Sequence, residues 1–361
     1  MYKKFFMGIA AVAALTLVSC SSDDLNSLSD NSSKNEAISF DSYLGRSAVS
    51  VNGTRGSVET KDKLKTDGFG VFGNYNAKAG QDFGSNLFDN VKVYSSSTAD
   101  PVIWKYDNTK YWPTEGYINF LAYAPHVENK TLTGSSIAFT VEGEAAKQTD
   151  LLWANAKDQT KAKNSGDKKV ELTFKHALSR LGYSVKLKDA SYESVATITL
   201  NKITLAGSKD LAQNAFYKEG IIDLATGNWS TSSSTDPNYN DTKRNFEWFN
   251  NETSGKTLSS NDDDAIKNSD SEYLFVIPQN FSNGNANNDQ LYVIVEYTIS
   301  YKDGVKATIK NKVCKQLTNN FLQSKAYTIN LTIGLTPIEF NAEVTDWNPI
   351  NGDAIDIDSW N

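Results

Sequence analysis

Two cysteines and two histidines are the chain's whole supply of thiols and imidazoles. Cys20 closes an apolar run as Leu17-Val18-Ser19-Cys20. Cys314 lies in a strand-like run from Val305 onward, and a buried structural thiol is its expected role. His126 follows Ala124-Pro125 at a strand end, and His176 sits in Phe174-Lys175-His176-Ala177-Leu178, where packing and hydrogen bonding suffice to explain it. No HExxH, GxSxG, CxxC or P-loop spacing occurs. Asn261-Asp262-Asp263-Asp264 and Asp353/Asp356/Asp358 are acidic, but lack the spacing and central Gly of a Ca²⁺ loop, so they read as solvated faces. These residues predict no catalytic site, no metal and no cofactor.

The chemistry that the chain undergoes is written at its start. Lys3 and Lys4 precede an apolar run from Phe5 to Val18. That run, about 14 residues, is shorter than the roughly 20 that a bilayer-spanning helix needs, and reads as a targeting segment. Leu17 to Cys20 resembles the lipobox of bacterial lipoproteins. The resemblance implies diacylglycerol on the Cys20 sulfur, cleavage before it and acylation of the new amine. Several acyl chains, each worth about 0.8 kcal/mol per buried CH₂, make such an anchor effectively permanent. Ser21-Ser22-Asp23-Asp24 places no Asp next to the lipid and resembles the surface-export signal of Bacteroidetes lipoproteins. Ser21 to Asn35 is polar and predicts a flexible tether.

With 36 Lys+Arg against 43 Asp+Glu, the net charge is −7, and losing Lys3 and Lys4 takes it to −9. Such a balance argues against nucleic acid as a partner. Lipidation of Cys20 leaves Cys314 alone, so apolar packing must hold the fold. Aromatic content is 11% with only 7 Pro, a composition that favours strands.

Period-two alternation dominates. Leu291, Val293, Val295, Tyr297, Ile299 and Tyr301 point one way, and Asp303-Gly304 predicts a two-residue hairpin back through Val305, Ala307 and Ile309. Further strands are expected over Gly116–Tyr123, Ser136–Val141, Val170–Phe174, Leu181–Lys188, Val195–Leu205, Tyr273–Ile277 and Ala326–Ile333, with a late one at Ile338, Phe340, Ala342 and Val344. Lys175–Arg180 and Ala212–Lys218 are candidate helical turns. Many short strands with almost no helix predict an all-β fold of packed sheets. The polar stretch 156–169 suggests a boundary: signal peptide 1–19, tether 20–36, an N-terminal β-sandwich over 37–165, and a C-terminal one over 166–361 with a polar loop about 230–270.

Spaced motifs across nearly the whole mature chain carry a family resemblance. They include Ile38-Ser39-Phe40, Asp67-Gly68-Phe69-Gly70-Val71-Phe72, Tyr111-Trp112-Pro113, Phe120 to Pro125, Asp150-Leu151-Leu152 and Phe174 to Ser179. Gly220 to Gly227, Val276-Ile277-Pro278-Gln279, Tyr327 to Leu331 and Asp346-Trp347 complete the series. The chain resembles the fimbrillin-like proteins of Bacteroidales, which build type V pili. The resemblance implies two tandem transthyretin-like β-sandwich domains and a lipoprotein exported to the cell outer membrane. It also implies an Arg-specific extracellular protease that removes the first strand, whose place a strand from another fimbrial subunit then fills. Arg46, just after the first strand, matches the cut site; Arg55 competes with it, and no cleavage at all stays open.

The residues fit that scheme in their own right. Ile38, Phe40 and Leu44 share one face of a candidate strand, and removing it would expose a template for strand addition. At the C-terminus Ile355 and Ile357 alternate with Asp356 and Asp358, which suits either a donor strand or a closing strand of the second domain. A different function also remains: a glycan-binding surface lipoprotein, with Trp229 and Trp248 among seven Trp as stacking platforms. A small inhibitor or other binding module is a third.

Overall fold

The computed structural model describes residues 36–44, 59, 61–95, 102–166, 168–281, 289–334 and 339–346. Cys20, Arg46, Arg55, Ile355 and Ile357 lie outside them.

The fold is all-β. One sheet of seven strands holds β1 (Phe40–Leu44), β2 (Phe69–Asn76), β3 (Phe88–Ser95), β4 (Trp104–Lys105), β5 (Tyr117–Ala124), β7 (Leu152–Gln159) and β8 (Val170–His176), in the order β1-β8-β7-β5-β2-β3-β4. Strand β6 (Ser136–Thr140) leaves this sheet and pairs with β12 (Glu219–Asp223), which is flanked by β13 (Trp229–Ser230). Helix α1 (Lys61–Asp67) leads into β2.

The second half is built on two larger sheets. In one, β10 (Ala196–Ala206) lies between β15 (Phe246–Asn250) and β20 (Leu291–Tyr301), with β16 (Lys256–Thr257) also on β10 and β21 (Ile309–Leu317) at the far edge. In the other, β9 (Ser179–Leu187) pairs β17 (Ile266–Lys267), β18 (Leu274–Val276) and, in parallel, β23 (Lys325–Ile333), which carries β24 (Glu339–Asp346). The pairs β11 (Phe216–Tyr217) with β14 (Lys243–Arg244) and β19 (Gln279–Asn280) with β22 (Asn320–Phe321) close the ends, and helix α2 (Ser191–Val195) leads into β10.

Sequence pattern and position agree strand by strand. Val170, Leu172, Phe174 and His176 of β8 are buried and alternate with exposed Glu171, Thr173 and Lys175. Strand β5, central and unbroken in its apolar run, is buried on both faces. Its even residues, Ile118, Phe120 and Ala122, enter one core, whereas Leu121 and Tyr123 enter the other. In β10 the inward set switches from Ile198 and Leu200 to Ile203 and Leu205, and a register shift between Leu200 and Lys202 absorbs the change of phase.

The two halves are fused. The larger core takes Phe72, Leu121, Tyr123, Leu151 and Trp153 from the first sheet. Asn155 Nδ2 donates to Leu224 O and Ala225 O at 3.0 Å each. Gly227, at φ +83°, turns directly over Trp153, and a Cβ there would lie 2.2 Å from the indole.

Several expectations change. The polar stretch 156–169 does not end the first sheet: β8 follows it within that sheet, and the chain crosses to the second set at Ala177-Leu178. Lys175–Arg180 is the end of β8 and the start of β9, not a helical turn; Ala212–Lys218 likewise contains β11. The segment 230–270 is laced with short strands, because Phe246 and Trp248 are buried and draw β15 onto β10. The hairpin after β20 exists, but its loop is wide: Asp303 Oδ1 accepts the amides of Val305 at 3.0 Å and Lys306 at 3.1 Å, and so keeps them from the ladder until Ile309 pairs with Ile299.

Candidate functional site

The first strand is an edge strand with a buried face. Ile38 and Phe40 are each 1% exposed, Ser42 is buried, and Leu44 packs partly buried on the same core. Tyr43 faces outward and is half exposed. Phe40 is ringed edge-on by Phe88 and Tyr106, both at 5.7 Å between centroids, and by Phe120 at 5.3 Å. Fully burying Ile38 and Phe40 contributes roughly 1.5–3 kcal/mol each.

Backbone bonds hold the strand on two sides. On one side β1 runs parallel to β8, with Phe40 opposite Val170 and Leu44 opposite Phe174. On the other side Ile38 N donates to Lys110 O and Trp112 N to Glu36 O, both at 2.9 Å. The Tyr106 hydroxyl donates to Ile38 O at 2.8 Å and accepts from Lys110 N at 3.2 Å; burial pushes its pKa up. Glu36 Oε1 takes the amide of Gly166 at 2.9 Å.

The far side of β8 is thinly supported. It pairs with β7 only at Leu152–His176 and Trp153–Lys175, after which the two strands part. Residues 170–174 therefore rely on β1 for their ladder. Without β1, unpaired backbone would border an apolar trough floored by Phe88 and Phe120, and unpaired buried amides and carbonyls are costly. The slot needs a strand in it.

Downstream, the chain is pinned again at Glu59. Its amide donates to Asp150 Oδ2 at 2.8 Å, and Asp150, 1% exposed, also contacts His176 Nδ1 at 2.9 Å. Burial pushes the Glu59 carboxyl up to about 8, against the pull of Lys63 Nζ at 3.8 Å. Arg46 and Arg55 thus both fall between two anchored points, Leu44 and Glu59.

A family model described as fimbrillin-like matches residues 54–347, most of the sequence. The chain belongs to the fimbrillin-like family. The matched span begins beyond β1 and ends before Ile355 and Ile357. One relative, Fimbrium subunit Fim1C of Phocaeicola vulgatus, is 27% identical over 372 residues, covering 93% of this chain and 94% of the relative. A crystal structure of a fimbrial protein from Bacteroides vulgatus superposes with a TM-score of 0.66 at 22% identity, covering 87% of this chain and all of that one, so the two share a fold.

Other candidates of the sequence fall elsewhere in this fimbrillin-like fold. Trp229 donates its Nε1–H to Ala177 O at 2.8 Å and packs against Phe139, and Trp248, 6% exposed, donates to Glu272 O at 2.9 Å. Among the described residues no Trp is exposed as a stacking platform, because these indoles serve the core. Cys314 is half-buried on β21, and the His126 ring lies 3.9 Å from Glu128. Sequence reasoning missed the Tyr106 hydroxyl and the 110–112 strip, which hold residues 36–38 just ahead of β1. It also missed a lysine-rich cleft beside β8. The strip left a trace in Tyr111-Trp112-Pro113, but its pairing spans some seventy residues and is invisible to local pattern.

Proposed function

We propose that this chain is a structural and adhesive subunit of a type V fimbria, without enzymatic activity, that polymerises by exchanging β1 for a strand of another subunit. The carrying observation is that Ile38 and Phe40 fill the first core while residues 170–174 of β8 rely on β1 for their ladder. Such an edge holds the monomer together, yet exposes a ready template when it leaves. Family membership and the Phocaeicola fimbrium subunit that the chain is similar to support the fimbrial reading.

In this scheme Cys20 carries the lipid and holds the precursor at the cell outer membrane. An Arg-specific protease cuts after Arg46 or Arg55, and β1 departs with the anchor. Glu59, clamped by Asp150, keeps the new N-terminal flank seated. The donor comes from the alternating Ile355/Ile357 run of another protomer, or from a different fimbrial subunit carrying a similar one. Limited trypsin digestion of the lipidated precursor, with N-terminal sequencing and gel analysis, tests this. One preferred cut at Arg46 or Arg55 followed by SDS-resistant ladders is expected, and the Arg46→Ala/Arg55→Ala chain should stay monomeric. Ladders from that double variant would overturn the scheme.

A further inference from the structure

On its outward side β1 borders a cleft of about 670 Å³ that opens where β7 and β8 part. Its charged lining is Asp41 from β1, Glu171 from β8, and Lys163, Lys168 and Lys169 from the connection between β7 and β8. Lys163 Nζ donates to Asp158 O at 2.8 Å, a neutral carbonyl that leaves its charge uncompensated. With β1 seated, three ammonium groups face two carboxylates, and one of those carboxylates belongs to the strand that would leave. Any replacement lies with its inward residues in the trough and its outward residues over these lysines, because side chains alternate along a strand.

We propose that this lysine cleft selects the incoming strand by its outward carboxylates, and that the occupant it fits is Ala354–Asp358 of a second copy of the chain. With Ile355 and Ile357 inward, Asp356 and Asp358 face the cleft. They bring two carboxylates where β1 brings Asp41 and the neutral Tyr43, so the newcomer balances the three lysines and Glu171 while the resident strand does not. The bias therefore favours exchange over return of the severed strand. Lys163 and Lys168 are exposed and Lys169 is half-buried, so their attraction is screened over about 8 Å at physiological salt and acts on choice and rate of docking more than on final tightness. This inference rests on strand exchange, and its test separates the two.

The test measures binding of labelled peptides spanning residues 352–361 to the trypsin-cleaved full chain carrying Ile355→Ser/Ile357→Ser, so that its own C-terminal run does not compete for the slot, by fluorescence anisotropy at 50 mM and 500 mM salt. The Asp356→Asn/Asp358→Asn peptide should bind about 2- to 30-fold more weakly than the native one at low salt, from two exposed pairs, and nearly equally at high salt. A K168E/K169E chain should reverse the order, preferring a D356K/D358K peptide. An Ile355→Ser/Ile357→Ser peptide reports on exchange itself and should not bind. Equal binding of the native and Asn peptides at both salts, with the Ser peptide still silent, would overturn the charge selection and leave exchange standing. No binding by any peptide, or binding of the Ser peptide as tight as native, would overturn both. Should K168E/K169E fail to fold, K168Q/K169Q serves in its place: it should erase the salt-dependent preference, and its persistence would refute the role of the cleft.

Discussion

Strands β1 and β21 are both sheet edges, and they are built in opposite ways. Strand β21 pairs with β20 over nine residues, from Leu317 opposite Leu291 to Ile309 opposite Ile299, yet buries only Leu317 fully. Lys310, Lys312 and Lys315 stud it, the usual defence of an edge against unwanted partners. Strand β1 has five paired residues, but Phe40 within it and Ile38 just before it enter the first core, and Ser42 is buried beside them. The longer edge is held by its backbone and guarded by charge. The shorter edge is held by its side chains, and it alone covers a trough. The exchange proposed for β1 calls for the second design.

The largest expected effect breaks this contrast at Phe40. Phe40→Ala should destabilise the non-lipidated Cys20→Ser chain by about 3–5 kcal/mol in urea unfolding, as for a large side chain removed from a core. Val313→Ala on β21, only partly buried, should cost under about 1 kcal/mol. Equal costs would erase the distinction.

Next comes the clamp at Glu59. Its folded pKa of about 8 lies above the ordinary 4.5, so the folded state holds a proton that the unfolded chain releases. The resulting stability is complete below about pH 4.5 and is lost as pH rises to about 8, at no more than about 1.4 kcal/mol per unit. Unfolding midpoints measured from pH 5 to 8 should show that slope, and Glu59→Gln should flatten it; an unchanged slope would remove Glu59 as its source. Asp150→Asn, which weakens the grip on the Glu59 amide and His176, should cost about 1.5–3 kcal/mol. A loss indistinguishable from zero would contradict the clamp.

The smallest effect on stability is expected at the guarded edge. Lys310→Val/Lys312→Val should leave the unfolding midpoint nearly unchanged but promote self-association in light scattering, because the bare edge then invites another strand. A variant that stays monodisperse would show that these lysines do not guard it.

How much of this was legible in the sequence differs by residue. Alternation placed Ile38 and Phe40 on one face, and burial in the first core is what that pattern means physically. It also found β8, β9, β10, β20 and β23, each long enough to show its period. It missed β11, β16 and β17, since two residues have no period, and it passed over β15 because Phe246 and Trp248 are islands in polar chain. The polar stretch 156–169 looked like a linker, yet it is the end of β7 and its connection to β8, and forms a wall of the lysine cleft. Charge marks exposure, and exposure does not tell a boundary from a loop within a sheet. The cleft itself required the parting of two strands, which no local pattern records.

The displaceability of β1 can be tested most directly with a removable lock. Tyr43 and Thr173 face each other across the parallel ladder on the outward side, so a Tyr43→Cys/Thr173→Cys pair, in a Cys20→Ser/Cys314→Ser background, would tether β1 to β8. After trypsin cleavage the oxidised protein should remain monomeric on gels, and reductant should release SDS-resistant ladders. Ladders formed while the lock is closed would show that assembly proceeds with the first strand in place, and would contradict exchange of β1.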